Sequence, residues 1–160
     1  MIILDSKKYS EDELREYFIE YLRSVGIKEI AKEVILFNGN NVDVVYIDKK
    51  RKFVCVELKL TDWKKVIQQA VLRLNVTPFV YIAMPVPKTW AKRKRVEDAI
   101  EQTGLGLIWL KDGKQWITQF MPKEHKNNKA QDYFSDGFER SLYYNIHTTF
   151  LAKCIDYRQK

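Results

Sequence analysis

Hydrophobic periodicity changes twice in the first half of this chain, and the changes restrict its fold. Apolar residues recur at helical spacing from Leu14 to Val25, after Ser10 and three acidic residues that favour a helix start. Strand-like patterns follow at residues 33–37, 42–47 and 53–60. The first two are separated by Asn38-Gly39-Asn40-Asn41, which is typical of a hairpin turn. One helix followed by three meandering strands predicts the beginning of an α/β domain.

The periodicity then returns to helical and alternates with short apolar segments. Thr61 or Asp62 caps a helix that extends to Leu74, and residues 79–84 are typical of a buried strand. Further elements are expected at 89–103 (a basic helix), 107–110 and 116–118 (strands) and 135–155 (a last helix). A strand–helix–strand crossover after a meander predicts a mixed central sheet flanked by helices. We interpret residues 1–160 as one domain, with a core of about 10–118 and a C-terminal helical extension of about 132–157.

Two charged residues interrupt the third predicted strand. Side chains alternate across a strand, so Glu57 and Lys59 share one face of an otherwise apolar segment. Asp43 is a single carboxylate in the preceding apolar strand, and pairing across the turn at 48–52 brings it near Glu57. A buried charge needs a partner or a metal, and two carboxylates make the hard oxygen site that Mg²⁺ prefers. The alternative is an ion-pair cluster of these three residues without chemistry.

This constellation resembles the motif of the PD-(D/E)XK nuclease superfamily, which has the restriction-endonuclease-like fold with an αβββαβ core. The matching residues are Val42-Asp43, Glu57-Leu58-Lys59 and Gln68-Gln69. The resemblance covers about residues 10–110 and implies that Asp43 and Glu57 bind Mg (or Mn) together with the backbone carbonyl of Leu58. It further implies that Lys59 positions the attacking water and that Gln69, with Gln68 as the alternative, contributes from the following helix.

Members of this family often carry one more glutamate, from the first helix or the first strand. Glu13 and Glu16 lie in the first predicted helix and Glu33 opens the first strand, and the sequence does not choose among them. A solvated acid at a helix or strand end is the alternative for each. The implied reaction is hydrolysis of a phosphodiester, in which a metal-bound water attacks and the metal stabilises the developing charge.

The chain is basic, with 28 Lys and Arg against 21 Asp and Glu and a formal net charge of +7, which favours a polyanionic partner. The candidate nucleic-acid contacts are Lys49, Lys50, Arg51, Lys52, Lys64, Lys65, Lys88, Lys92, Arg93, Lys94 and Arg95. Trp90 lies among the last five and can stack on a base. A charged, solvated turn at 49–52 and a solvated helix end at 88–95 are the alternatives.

The resulting prediction is a Mg-dependent deoxyribonuclease, acting on DNA as an endonuclease. Two alternatives stay open: a nuclease-like fold used for non-catalytic nucleic-acid binding or assembly, and a small enzyme whose basic charge is incidental. No apolar run reaches the roughly 20 residues that span a bilayer, so no membrane partner is expected. Two cysteines favour a reducing, cytoplasmic compartment. A homodimer is a further alternative, since few residues remain for reading a base sequence.

Overall fold

The computed structural model describes residues 9–35, 41–74, 77–112 and 115–125. Their elements are α1 (Glu11–Ser24), β1 (Ile30–Ile35), β2 (Asn41–Ile47), β3 (Phe53–Leu58), α2 (Trp63–Arg73), β4 (Phe79–Pro85), α3 (Trp90–Glu101), β5 (Gly106–Lys111) and β6 (Gln115–Phe120). The predicted last helix at 135–155, and with it the C-terminal extension, lies outside the described residues. Within the described residues, no helix combines the length and the apolar character needed to cross a membrane.

The six strands form one mixed sheet in the order β1-β2-β3-β4-β5-β6. The first three strands are an antiparallel meander, and β3, β4 and β5 are parallel to one another through the crossover helices α2 and α3. β6 returns antiparallel to β5. This is the predicted restriction-endonuclease-like αβββαβ order, extended by α3 and two strands. A consequence for function is that β3, β4 and β5 all end at the same edge of the sheet, here called the carboxyl edge.

Helices cover both faces of the sheet. On one face, Leu14 and Phe18 of α1 pack with Val54 and Val56 of β3 in a buried cluster. On the other face, the apolar side chains of α2 and α3 pack with the opposite side of the same strands, including Cys55. The predicted alternation of β3 is therefore confirmed, because its even-numbered valines face α1 and Cys55 faces α2.

Local capping explains why the helices begin where they do. Ser10, Asp62 and Thr89 each accept a hydrogen bond from a backbone N–H of the first helical turn, as N-cap side chains do. Asp62 rather than Thr61 is therefore the cap of α2. The element bounds differ from the predicted ones by a few residues, and one difference matters: β3 ends at Leu58 instead of continuing to residue 60.

Candidate active site

Asp43 and Glu57 meet across β2 and β3, as the sequence predicted. The antiparallel register pairs Val44 with Val56, so the next residues along each strand, Asp43 and Glu57, lie opposite each other. Asp43 is partly buried, and its Oδ2 accepts a hydrogen bond from the backbone N–H of Leu58 at 2.8 Å. This hydrogen bond fixes the Asp43 carboxylate against the β3 backbone, next to Glu57.

The alternation of β2 is broken at Asp43. Val42 packs on the α2 face of the sheet, whereas Val44, two residues further on, packs on the α1 face. In β1, Glu33 has φ of 53° between two regular pairs of the β1–β2 ladder, in register with Asp43. A left-handed non-glycine residue costs on the order of 1–3 kcal/mol, and such residues cluster at functional sites. The local distortion of the sheet therefore coincides with the carboxylate that binds the β3 backbone.

The partner of Glu57 is Arg73, a residue that sequence reasoning missed. Glu57 is only 3% exposed and Arg73 only 6%. The Arg73 Nε–H donates to Glu57 Oε1 at 2.8 Å, and its Nη2 donates to the backbone carbonyl of Asn41 at 2.9 Å. Arg73 is the last residue of α2, so the guanidinium ties this helix to both strands that carry the carboxylates.

Burial shifts the ionisation of this pair. Loss of hydration and the charge of Asp43 raise the pKa of Glu57, and the hydrogen bond and charge of Arg73 oppose the rise, so that the resulting pKa is about 8. A hydrogen bond between the two carboxyl groups also favours the protonated form of Glu57. A carboxyl group whose pKa is strongly displaced beside a second carboxyl is typical of a functional site.

The structure gives Glu57 and Lys59, which the sequence placed side by side, different ion-pair partners. Because β3 ends at Leu58, Lys59 lies one residue beyond the strand and its side chain is not held by the alternation. Its Nζ pairs with Glu11 Oε1 at 3.2 Å, at the first residue of α1. Glu57 thus has its ion-pair partner in α2 and Lys59 in α1. Glu11 is a second site residue that was missed, because an acid in a first helical turn is explained by the helix dipole alone.

The other candidate acids have different partners. Glu33 pairs with Arg15 at 3.2 Å, and Glu16 pairs with Lys32 at 2.7 Å, both at exposed positions. Glu13 is exposed, and its backbone N–H donates to the Ser10 hydroxyl. The acid of α1 that the structure brings to the lysine is therefore Glu11.

The two glutamines of α2 differ in exposure. Gln68 is exposed and Gln69 half-buried, one turn before Arg73. The α2 side chain that hydrogen-bonds to Glu57 is Arg73, in place of the glutamine that the resemblance implies. The site role of Gln69 stays a prediction.

The basic residues divide between the two edges of the sheet. Lys64 and Lys65 open α2 and Lys88 precedes α3, so all three lie at the carboxyl edge. The turn at 49–52 precedes β3 and lies at the opposite edge, a whole strand length from Glu57. This turn is close to Glu57 in sequence but not in the fold, and its predicted contact with nucleic acid stays a prediction.

Ion pairs within α3 engage part of the remaining basic set. Arg93 pairs with Glu97 at 2.9 Å and Lys94 with Asp98 at 3.2 Å, each one turn further along the helix. Lys92 and Arg95 are exposed. The basic face predicted for this helix is therefore partly neutralised by acids of the same helix.

The carboxylates of Asp43 and Glu57 are the type of ligand that a divalent cation prefers. Among the described residues, no group of three or more His, Cys, Asp or Glu side chains is arranged to hold a metal ion. Mg²⁺, however, often binds through one or two carboxylates, with waters and substrate phosphates completing its coordination. Asp43 and Glu57 supply two such carboxylates whose mutual repulsion a cation would relieve. Arg73 already neutralises one of them, so a metal would have to share Glu57 with the guanidinium.

Comparison with known proteins supports the fold and does not identify a family. No family model matches the chain, and no curated protein matches it. A solved protein of unknown function from Silicibacter pomeroyi superposes with a TM-score of 0.66 at 17% sequence identity, over 94% of this chain and 92% of that one. This similarity shows a shared fold.

Two further solved structures are similar over smaller parts. A repair endonuclease from Pyrococcus abyssi gives a TM-score of 0.43 at 24% identity, over 62% of this chain and 46% of that one. SfsA from Pyrococcus furiosus, in complex with Ca²⁺, gives 0.38 at 11% identity, over 70% of this chain and 64% of that one. At these TM-scores neither similarity carries weight for this chain's function.

Proposed function

We propose that this chain is a metal-dependent endonuclease that hydrolyses phosphodiester bonds in DNA. The observation that carries the proposal is the meeting of Asp43 and Glu57 at the end of β3, next to the distortion of the β1–β2 ladder at Glu33. A purely structural ion pair needs one carboxylate for Arg73, whereas this site holds two, at the energetic cost of their repulsion. A site that brings two carboxyl groups together in this way is suited to a divalent cation, which would displace the proton that Glu57 retains.

Each side chain then has a distinct role. Asp43 and Glu57 would hold Mg²⁺ or Mn²⁺ together with the carbonyl of Leu58. When bound, such a cation polarises phosphoryl oxygens and lowers the pKa of a bound water. The Lys59 ammonium, held by Glu11 at 3.2 Å, would donate hydrogen bonds to the attacking water or to a phosphate oxygen. Gln69 would contribute a further polar contact from α2.

The charges at the carboxyl edge suit a polyanionic substrate. Lys64, Lys65 and Lys92 are exposed in the first turns of α2 and α3, which contain no acidic residue. The N-terminal ends of both helices therefore add their positive dipole ends to the lysines. DNA phosphates that contact these groups would lie at the same edge as the carboxylates.

The test is a Mg²⁺ and Mn²⁺ titration with supercoiled plasmid and with duplex, branched and single-stranded DNA oligonucleotides. We expect cleavage that Asp43→Asn and Lys59→Met each reduce by at least about 100-fold, with unchanged far-UV circular dichroism. Glu16→Gln is the matched control, because Glu16 is exposed and its ion-pair partner is Lys32 rather than a residue of the proposed site, so this variant should cleave like the parent protein. Cleavage that survives in Asp43→Asn would contradict the proposal.

One observation favours a second candidate, a non-catalytic nucleic-acid-binding or assembly protein. The Arg73–Glu57 pair is buried and satisfies Glu57 without any metal. If Glu57 serves only to pair with Arg73, the chain binds DNA through the lysines at the carboxyl edge and does not cleave it. Binding in the titration, with no cleavage under either metal, would favour this candidate.

A further inference from the structure

Trp90 is the most exposed large hydrophobic side chain among the described residues. It is 76% exposed at the first position of α3. The other three tryptophans are partly or fully buried, and Trp109 is completely so. Trp is costly to leave in water, since its ring carries one of the largest apolar surfaces of any side chain. A tryptophan kept in solvent at a helix start is therefore a candidate contact for a ligand.

Helical geometry explains why Trp90 is exposed. Trp90 and Glu97 are seven residues apart, nearly two full turns, so they share one face of α3. That face lies on the sheet, because Glu97 Oε1 accepts a hydrogen bond from Trp109 Nε1 of β5 at 3.0 Å. From Glu97 back to Trp90 the helix advances about 10 Å, whereas β5 continues for only about 7 Å beyond Trp109. The helix overhangs the sheet, and Trp90 lies on the overhang.

The overhang is on the same edge and the same face as the candidate active site. α3 runs back along the sheet between β4 and β5, so it begins at the carboxyl edge, where β3 also ends. Glu57 shares the α2 and α3 face with Cys55, as its ion pair with α2 confirms. Adjacent strands are about 4.8 Å apart, so β3 and β5 are separated laterally by about 10 Å. A chain of nucleotides can span that distance across the end of β4.

Charge identifies the kind of ligand. Lys88 and Lys92 flank Trp90 at exposed positions, and the first turn of α3 contains no acidic residue, whereas α1 has three. An aromatic ring beside cations matches a nucleotide strand, which offers a flat base and a phosphate at regular intervals. An apolar protein surface would not use the lysines. Within a duplex the faces of a base are covered by its neighbours, so only an unpaired base can stack on Trp90.

We propose that Trp90 is a stacking platform for an unpaired nucleobase, and that the substrate class is DNA with a single-stranded segment. The assignment of a substrate rests on the proposed nuclease function, whereas the stacking contact does not. The strand would stack one base on Trp90, pass its phosphates along Lys88 and Lys92, and reach the carboxylates at the end of β3. Fully paired DNA would be held by the lysines alone.

The first experiment measures binding in EDTA, where no cleavage occurs. Fluorescence anisotropy compares a single-stranded oligonucleotide with its duplex for the parent protein, Trp90→Ala and Trp90→Tyr. Stacking is worth roughly 1–3 kcal/mol per base, so we expect Trp90→Ala to weaken single-strand binding roughly 5- to 150-fold. Trp90→Tyr should restore most of it, and duplex binding should change less than about twofold.

Met121→Ala is the matched control. Met121 is 72% exposed, but it follows β6 at the opposite edge of the sheet. Its truncation should leave both affinities unchanged. Equal losses on both DNA forms in Trp90→Ala, or no loss on either, would overturn the proposal. A dimer in sedimentation experiments that Trp90→Ala dissociates would also overturn it, since a second copy of the chain would then cover the ring.

The second experiment separates this proposal from the proposed function. Cleavage of single-stranded and duplex oligonucleotides is compared in Mn²⁺ at DNA concentrations below the dissociation constants. If the parent protein cleaves, Trp90→Ala should lose cleavage of the single-stranded form selectively. If nothing is cleaved while the binding difference remains, the nuclease function and the substrate assignment are wrong and the stacking contact stands. If Trp90→Ala cleaves the single-stranded and the duplex form as the parent protein does, the stacking contact is wrong and the nuclease function stands.

Discussion

Arg73 donates its Nε–H to Glu57 Oε1 at 2.8 Å, and both side chains are almost completely buried. The pair lies between the sheet and α2, beside the second carboxylate, Asp43. It links α2 to β3 and competes with any cation that binds the two carboxylates. The balance between these two roles can be measured with variants of the pair.

Replacing Arg73 should destabilise the protein through Glu57. Arg73→Met leaves a buried carboxyl group without its donor and removes the hydrogen bond to Asn41. We expect the free energy of unfolding to fall by about 2–4 kcal/mol, measured by urea denaturation. In Glu57→Gln/Arg73→Met the loss should be smaller than the sum of the two single losses by at least about 1 kcal/mol. Strict additivity would show that the pair does not interact.

The raised pKa of Glu57 predicts how stability depends on pH. The pKa rises from 4.5 to about 8 on folding. Between these values the folded protein keeps a proton that the unfolded chain releases, so the free energy of unfolding falls as the pH rises through this window. At about 1.4 kcal/mol per pKa unit the total loss is roughly 3–5 kcal/mol. Glu57→Gln should flatten this dependence, and a parent curve that already rises with pH over the window would contradict it.

Much of this arrangement could be predicted from the sequence. The change from helical to alternating periodicity predicted the αβββαβ order, and a short turn between two apolar strands was enough to bring Asp43 opposite Glu57. Both inferences depend on local pattern and on the pairing of adjacent strands. The C-terminal helix at 135–155 stays a prediction.

The partners of the charged residues could not be predicted, because they come from elements that only the tertiary fold brings together. Arg73 in the last turn of α2 is equally explained by the helix dipole, and Glu11 in the first turn of α1 has the same explanation. The position of the turn at 49–52 relative to the site could not be predicted for a related reason. Its distance from Glu57 depends on the direction of β3, which the sequence indicates only after the sheet topology is known.

Glu11 and Glu13 offer a comparison of two acids in one helical turn. Glu11 holds Lys59 at 3.2 Å, whereas Glu13 is exposed and contributes its backbone N–H to the helix cap. Glu11→Gln should lower Mg²⁺-dependent cleavage by about 10-fold or more, because it frees the Lys59 ammonium, which we propose orients the water or the phosphate. Glu13→Gln makes the same change of charge and should cleave within about twofold of the parent protein.

Stability measurements separate this role from a structural one. An exposed ion pair contributes at most about 1 kcal/mol, so both variants should unfold close to the parent midpoint. Equal cleavage by Glu11→Gln and Glu13→Gln would exclude a positioning role for Glu11. A large loss of stability in Glu11→Gln would instead assign the Lys59 contact to the fold.

Metal binding should stabilise the folded protein through Asp43 and Glu57. A cation that binds only the folded state raises the free energy of unfolding by about 2.7 kcal/mol at 100 times its dissociation constant, seen as a rise in the melting temperature with Mn²⁺ or Mg²⁺. Because Glu57 holds a proton below a pKa of about 8, the cation must displace that proton. Its effect should therefore be larger at pH 8.5 than at pH 6.5.

Asp43→Asn should abolish the rise in melting temperature, and Glu16→Gln should retain it. A rise that persists in Asp43→Asn would place the cation elsewhere, and no rise in the parent protein at either pH would favour the buried Arg73–Glu57 pair as a purely structural element.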